Sequence, residues 1–420
     1  MARIGLSEGE PAPEWARRYP AHASGAIRLY GEEFHRDPAA VYWRLRSEHG
    51  PVAPVLVDGA VPAWLVLDYR EFGQVLENPA HYTRDSAAWN SWDLIPADWP
   101  LIPMITKRNT AWFLTGDEHH RRVSVLADGL GSVDPFELRT ASERVADALI
   151  DAFADQGKAD LIAEYAELLP LRVTTALLGI PPVDSAAIVA DLAVVVNGGP
   201  DAVAANLRLR AGLQAQVTAR REHPRFDVLS RLVAHPVRLG DGELLEELQT
   251  VFAIVHQATS AWIGNTLRLM LGDARFATTI LGGRRSVGEA MAEVLWEDPP
   301  GATLTGRWTV GRRMLGQYFL EAGDLLLLSI AAANTDPKIR PGREIIHRNQ
   351  AHLAYGYGEH RCPLAGQEIG EAIAETAVQV LLDRLPDVEL ALPIEQLLWR
   401  PSLWLRSLMD LPVVFTPAGP

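Results

Sequence analysis

Apolar positions in this chain recur with two different periods, and the changes between them mark out its elements. From about residue 117 to 275 they return every three to four positions, the helical period. Elsewhere the pattern is shorter. Val52–Val57 and 62–67 are β-rich runs around Asp58-Gly59, a strong hairpin signal, and a second β-rich zone covers 302–331. Asp37-Pro38 opens a helix running to about Ser47, with proline at the first helical position. Residues 69–78 read as another helix. Residues 365–385 carry Ile369, Ala372, Ile373, Thr376, Ala377, Val380 and Leu381 on one stripe. The tail, 387–415, alternates enough for short strands. Residues 1–36 read as an irregular lead-in, and 86–115, with Trp89, Trp92, Trp99 and Trp112 among prolines, as a long aromatic loop. The sum is a mainly α fold with small β-sheets.

The longest helical pattern, 241–272, has acidic residues in its first turns and no proline, so it reads as one continuous helix across the molecule. Its middle is polar: His256, Gln257, Thr259 and Ser260 interrupt an apolar run. Buried polar groups need partners, so this cluster is expected to line a pocket.

Composition narrows the function. The chain has 420 residues, 48% of them hydrophobic and 22% charged, which suits a globular protein with a large core. Length alone would suggest two or three domains. A net charge of −14 disfavours nucleic acid as a partner. The N-terminus, MARIGLSEGEPAPEW, has no apolar run, so neither signal peptide nor membrane anchor is expected. A single cysteine fits a reducing compartment, and a cytoplasmic location is the expectation.

That cysteine, Cys362, ends the loop Tyr355-Gly356-Tyr357-Gly358-Glu359-His360-Arg361-Cys362 and stands just before a long helix. It can form no intramolecular disulfide. Before a helix N-terminus a thiolate is stabilised by the dipole and by backbone N–H groups, and such a thiolate can ligate haem iron. Tyr-Gly-x-Gly-x-His-x-Cys resembles the haem-ligand loop of the cytochrome P-450 family, with Tyr355 where that family usually has Phe. The resemblance runs from about residue 37 to 415 and implies one haem-thiolate domain over 37–420, with a long central helix over the haem. It implies haem b as cofactor and Cys362 as the iron ligand. His360, Arg307 and His119 fall where the family pairs the haem propionates. The implied activity is that of an oxidoreductase: monooxygenation of a hydrophobic organic substrate, with electrons from a ferredoxin/ferredoxin reductase-type donor. Arg121, Arg122 and Arg361 are the expected docking charges for that donor.

The sequence also departs from the family's pattern. Leu364 stands where a glycine usually follows the cysteine. In the central helix the family's Ala-Gly-x-acid-Thr aligns with Ile254, Val255, His256, Gln257 and Ala258. Gln257 can hydrogen-bond but does not titrate, and Ala258 does neither. Thr259 is one residue further on, about 100° around a uniform helix. Catalytic proton handling is therefore expected from Gln257, Thr259, His256, water or the substrate. The residues Ile254 and Val255 argue against local rewinding that would bring Thr259 round. Ser286 and Glu289 form a capping box before a helix containing Glu293. The family's Glu-x-x-Arg is here Glu293-x-x-Trp296, so Glu293 needs another cation, with Arg343 and Arg348 as candidates. His119-x-x-x-Val123 replaces a His-x-x-x-Arg signature, with Arg122 as the nearby substitute.

Two alternatives accompany the monooxygenase reading. One is haem-thiolate chemistry that is peroxide-driven or non-hydroxylating, because of Gln257-Ala258. The other is a non-catalytic haem or small-molecule binding protein. The expected pocket walls are 86–115, 165–200, 253–259, 302–306 and 403–405.

Overall fold

A computed structural model describes residues 15–417, apart from 98, 100, 198–200, 274, 277–285, 341 and 343–348. The chain divides into two compact units. One comprises Met1–Arg108, Leu295–Arg361 and Trp399–Arg406; the other comprises Asn109–Val294, Cys362–Leu398 and Ser407–Pro420.

The first unit is organised by a six-stranded sheet. Its spatial order is Ile27–Arg28, Val52–Val57, Val61–Val66, Leu325–Ser329, Thr303–Thr309, Tyr82–Thr83. The expected hairpin is present, with register Val57↔Val61 through Val52↔Val66, and Gly59 takes φ +70° in the turn. Its strands are buried at every position because both faces are covered. Val55, Val57, Ala63 and Leu65 face a core with Trp89, Trp99 and Trp308, while Val52, Trp64 and Val66 face one with Phe72, Leu315 and Leu320. The first half of the aromatic loop is therefore core rather than pocket wall. Trp89 lies 5.7 Å from Trp99 and 6.4 Å from Trp308, centroid to centroid. The helices Pro38–His49 and Tyr69–Glu77 are as expected, and Asp37 caps the former by accepting from Ala40 N at 3.0 Å.

The lead-in is not irregular over its described part. Trp15–Arg18, Pro20–Gly25 and Glu32–Arg36 are helical, and Ile27–Arg28 pairs in parallel with Val55 and Leu56. Tertiary contacts decide this: His22 is buried and its Nε2 bonds Ala63 O at 2.8 Å.

The second unit is helical, with Gly116–Leu130, Pro135–Asp151, Pro182–Asn197 and Ala202–Glu222 among its longer helices. Leu364–Arg384 is the helix after the cysteine, and Ile369, Ile373, Thr376, Ala377 and Leu381 are buried on it. The tail forms Glu389–Leu390 and Pro412–Val414, antiparallel to each other, and the latter pairs with Lys158–Asp160. No described helix is long and apolar enough to cross a membrane.

The central helix is not uniform. It is α-helical over Asp241–Ile254, winds as a π-turn over Val255–Thr259, and resumes as α-helix over Ser260–Gly272. A π-turn holds one extra residue, so all that follows is rotated by about one position. The branched pair did not prevent it, and Ile254 is left 41% exposed beside the turn. A second π-turn, Ile162–Ala166, packs where Gly264 lacks a side chain: a Cβ there would stand 2.5 Å from Ile162 Cδ1.

Candidate functional site

In the first unit the sheet places a pair of cations. Thr83 stands opposite Trp308 and Tyr82 opposite Thr309 in an antiparallel ladder. Continuing that register by one residue sets Arg84 beside Arg307. Both side chains are buried, at 5% and 4% exposure, and Arg307 makes no ion pair among the described residues. Its guanidinium donates a long bond, 3.4 Å, to Gly306 O. Burial pushes Arg307 down to about 9, with Glu359 opposing. Burial and then the neighbouring Arg307 push Arg84 well below its ordinary value. Like charges side by side across a buried ladder are unfavourable alone; the Glu359 carboxylate offsets part of this at both arginines, and the pair suits a further anion beside it. Arg307 is the arginine that the resemblance singled out, and Arg84, which the sequence did not single out, is set beside it only by the strand register.

The loop before the cysteine begins at Tyr355, which is half-buried and lies 5.5 Å from the ring of His352. Gly356 and Gly358 take φ +73° and +70°, the left-handed conformation that their positions in the motif require. His360 is 12% exposed, with Nδ1 3.9 Å from Glu359 Oε2.

In the second unit Cys362 is half-buried and stands just before Pro363, the N-cap of the Leu364–Arg384 helix. The thiol makes a long contact of 3.7 Å to Pro363 O. Gln367 fixes the cysteine backbone by donating from Nε2 to Cys362 O at 2.5 Å. A Cβ at Gly366 would lie 3.3 Å from Sγ, so this glycine gives the sulfur its room. Gly366 is the third residue of the helix, and Leu364, where a glycine was expected, is exposed.

His256 and Thr259 are buried within the π-turn, and Gln257 is half-buried between them. Thr259 Oγ1 points toward the helix that follows Cys362, 3.8 Å from where a Cβ at Gly370 would stand. Ser260 is also buried, and its hydroxyl has no partner among the described residues.

His119 is buried and its Nδ1 bonds Ala111 O at 2.8 Å. Arg122 does not substitute for the missing Arg at 123. It is 1% exposed and is held by Glu247 at 3.0 Å and by Glu118 and Glu243 at 3.2 Å each. Nor can it dock a partner. Arg121 is shared between Glu118 and Glu243, which leaves exposed Arg361 as the accessible charge of that trio. Glu247 is fully buried. Its Oε1 accepts from Ala111 N at 2.8 Å and from Arg122, its Oε2 has no partner among the described residues, and burial raises its pKa.

Glu293 finds its cation, but not where expected. Arg343 and Arg348 lie outside the described residues. Arg275 donates to Glu293 Oε1 at 2.7 Å and also pairs with Asp273. The capping box stands, with Ser286 N bonded to Glu289 at 3.0 Å and Glu289 N to Ser286 Oγ at 3.2 Å.

These residues fit haem b. Its iron takes a soft thiolate, its propionates need buried cations, and its apolar ring needs apolar surface such as exposed Ile254 and Leu364. No protein-family model matches the chain. Individual proteins do. Cytochrome P450 monooxygenase PikC of Streptomyces venezuelae is 29% identical over 395 residues, spanning 91% of this chain and 92% of its own. Polyketide biosynthesis cytochrome P450 PksS of Bacillus subtilis is 26% identical over 408 residues, covering 91% and 97%. The structure of CYP154C4 from Streptomyces sp. W2061 superposes with a TM-score of 0.81 at 26% identity, covering 94% of this chain and 99% of that one. Mainly α with small sheets, and matched over 91% of its length by PikC and by PksS, this chain is a haem b-dependent oxidoreductase of the cytochrome P450 type.

Proposed function

We propose that the protein monooxygenates a hydrophobic organic substrate, with Cys362 as the thiolate ligand of the haem iron and electrons from a ferredoxin-type donor. The observation that carries this reading is the place of Cys362. It is the only thiol of the chain, it stands directly before a helix N-terminus, and Gly366 keeps space beside its sulfur. When bound, thiolate-ligated haem supplies dioxygen activation, because the thiolate pushes electron density that favours O–O cleavage.

The protein's own groups have separate tasks in this reading. Arg307 and Arg84 neutralise propionate charge from a buried position, where a desolvated guanidinium gains most from a carboxylate. His360 and His119 are assigned to the propionates by their motif positions. The π-turn supports a role for Thr259. An extra residue in the turn offsets about 100° of rotation, which gives Thr259 about the angular place of position 258. Its hydroxyl can relay a proton that Ala258 cannot, and Gln257 orients water by hydrogen bonds without titrating. The parallels with PikC and PksS, enzymes named for monooxygenation and for polyketide biosynthesis, support an organic substrate of natural-product size. The whole of 37–420 then acts as one catalytic domain, working in the cytoplasm, with Arg361 as the docking charge for the donor.

The deciding experiment is the absorption spectrum of the purified holoprotein, ferric and then reduced under carbon monoxide. The strongly red-shifted Soret band of a thiolate complex is expected, together with its loss in Cys362→Ser. A band typical of neutral ligands in the wild type would refute the assignment.

Gln257 and Ala258 favour a second reading, peroxide-driven or non-hydroxylating chemistry. In that case Gln257→Glu with Ala258→Thr leaves turnover of the true substrate unimproved, and a large gain removes this reading. A purely binding protein would bind ligand yet consume no donor electrons when the ligand is added.

A further inference from the structure

The helix Val287–Glu297 carries a tryptophan one residue before its end, where an arginine belongs in the family's pattern, and the first unit shows what that tryptophan does. Trp296 is 4% exposed. Its Nε1 donates to Asn349 O at 3.1 Å, so the indole anchors the backbone that leads into the cysteine loop. The same ring meets His352 edge-on, with centroids 5.9 Å apart and planes at 87°. His352 in turn lies 5.5 Å from Tyr355, the first residue of the loop, at 51°. Three rings therefore run from the helix end to the start of the motif, each pair within the range where edge-to-face contact is favourable.

Two further contacts hold the other side of this run. Arg340 lies over the face of Trp296, 5.8 Å from its centroid, and pairs with Glu297. Asn334, fully buried, donates from Nδ2 to Leu295 O and accepts at Oδ1 from Leu353 N, both at 2.8 Å. The helix end and residues 349–355 are thus clamped by an amide on one side and by the indole on the other. The one carboxylate near the clamp among the described residues, Glu297, acts through Arg340. Glu293 pairs with Arg275 through Oε1, and its Oε2 has no partner among the described residues.

We propose that Trp296 is a positioning residue for the cysteine loop. Through Asn349 and His352 it seats Tyr355 and so sets the height at which Cys362 is presented. The inference rests on reading Cys362 as the iron ligand, and it reverses the simple expectation from the family's pattern. Restoring arginine at 296 damages the loop, because an arginine cannot replace the ring contact to His352 and its guanidinium would stand beside Arg340, even though Glu293 Oε2 is open to it.

The test compares Trp296→Arg, Trp296→Phe, His352→Phe and His352→Ala in the full-length holoprotein. The first readout is amide exchange across 349–361, measured also after haem removal. Trp296→Arg and His352→Ala should each exchange about tenfold faster there, with 303–309 and 325–329 unchanged. The second readout is the share of the reduced carbon monoxide complex showing the thiolate-type Soret band, together with the reduction potential. That share should fall in Trp296→Arg and His352→Ala and stay near wild type in His352→Phe, with Trp296→Phe between. Unchanged exchange in Trp296→Arg, or a thiolate share at or above wild type, overturns the proposal. Absence of a thiolate band in the wild type would sink the assignment of Cys362 instead, and the exchange data would still decide the role of Trp296. Should Trp296→Arg fail to fold, the contrast between His352→Phe and His352→Ala decides it.

Discussion

Replacing Glu247 tests whether the buried charge cluster on the central helix is held by charge or by hydrogen bonds. In Glu247→Ala, Ala111 N and Arg122 lose their shared acceptor, 2.8 and 3.0 Å away. Removing one partner of a buried pair costs about 3–5 kcal/mol, but Arg122 keeps Glu118 and Glu243, so about 2 kcal/mol is the better figure here. The stranded Ala111 N–H adds about 1–3 kcal/mol, for a total of about 3–5 kcal/mol. Glu247→Gln keeps an acceptor for both donors and removes only the charge. Burial raises the pKa of Glu247 despite Arg122, so desolvation outweighs the pairing, and the amide should cost no more than about 1 kcal/mol. The sign with pH follows. A folded-state value raised above the ordinary 4.5 stabilises the fold below 4.5, and that contribution is lost as pH rises through the folded value. The wild type should therefore lose ground to Glu247→Gln as pH rises from about 4.5. Urea midpoints followed by far-ultraviolet circular dichroism, at equal haem content, measure this. If Glu247→Gln costs as much as Glu247→Ala, or if the wild type gains on it with rising pH, the reasoning fails.

Four other outcomes are expected. Gly366→Val should lower the thiolate-type share of the carbon monoxide complex, and Gly366→Ala should do so weakly, because the first Cβ already lies 3.3 Å from Cys362 Sγ; equal spectra for all three proteins would contradict this. Arg84→Leu should speed haem transfer to apomyoglobin by about 10-fold or more, the loss of one charge-assisted bond, and an unchanged rate would remove Arg84 from the cofactor's environment. Arg361→Glu should slow reduction by a ferredoxin at low salt and lose that effect at high salt. Arg122→Glu should instead destabilise the protein, since that side chain is 1% exposed among three carboxylates, and a purely kinetic defect would show the cluster to be misread.

The parts of the fold legible in the sequence are those fixed by local chemistry. Asp58-Gly59 announced the hairpin, Asp37-Pro38 a helix start and Ser286 with Glu289 a capping box, because each is decided within four residues. What the sequence did not disclose depends on neighbours far along the chain. Arg84 is placed beside Arg307 by strand register, Glu293 meets Arg275 from another segment, and Trp89 and Trp99 pack on the sheet instead of lining a pocket. The π-turn was opposed on side-chain bulk at Ile254 and Val255, but Ile254 points outward and its size exerts no veto. Arg122 looked like surface charge because it sits among charged residues, and those same residues bury it.

The pairing of Val61–Val66 with Leu325–Ser329 has a consequence for how the protein is made. Trp64 donates to Asp324, 260 positions later, and its strand cannot be covered until that partner leaves the ribosome. At about 5–20 residues per second, the wait is on the order of tens of seconds. During it a fully apolar hairpin trails behind the nascent chain with an open edge, while the helices of 116–272 form from local contacts as they emerge. Overexpression of this protein should therefore be limited by aggregation of the early hairpin, and a chaperone that shields apolar strands should raise the yield more than added haem precursor does.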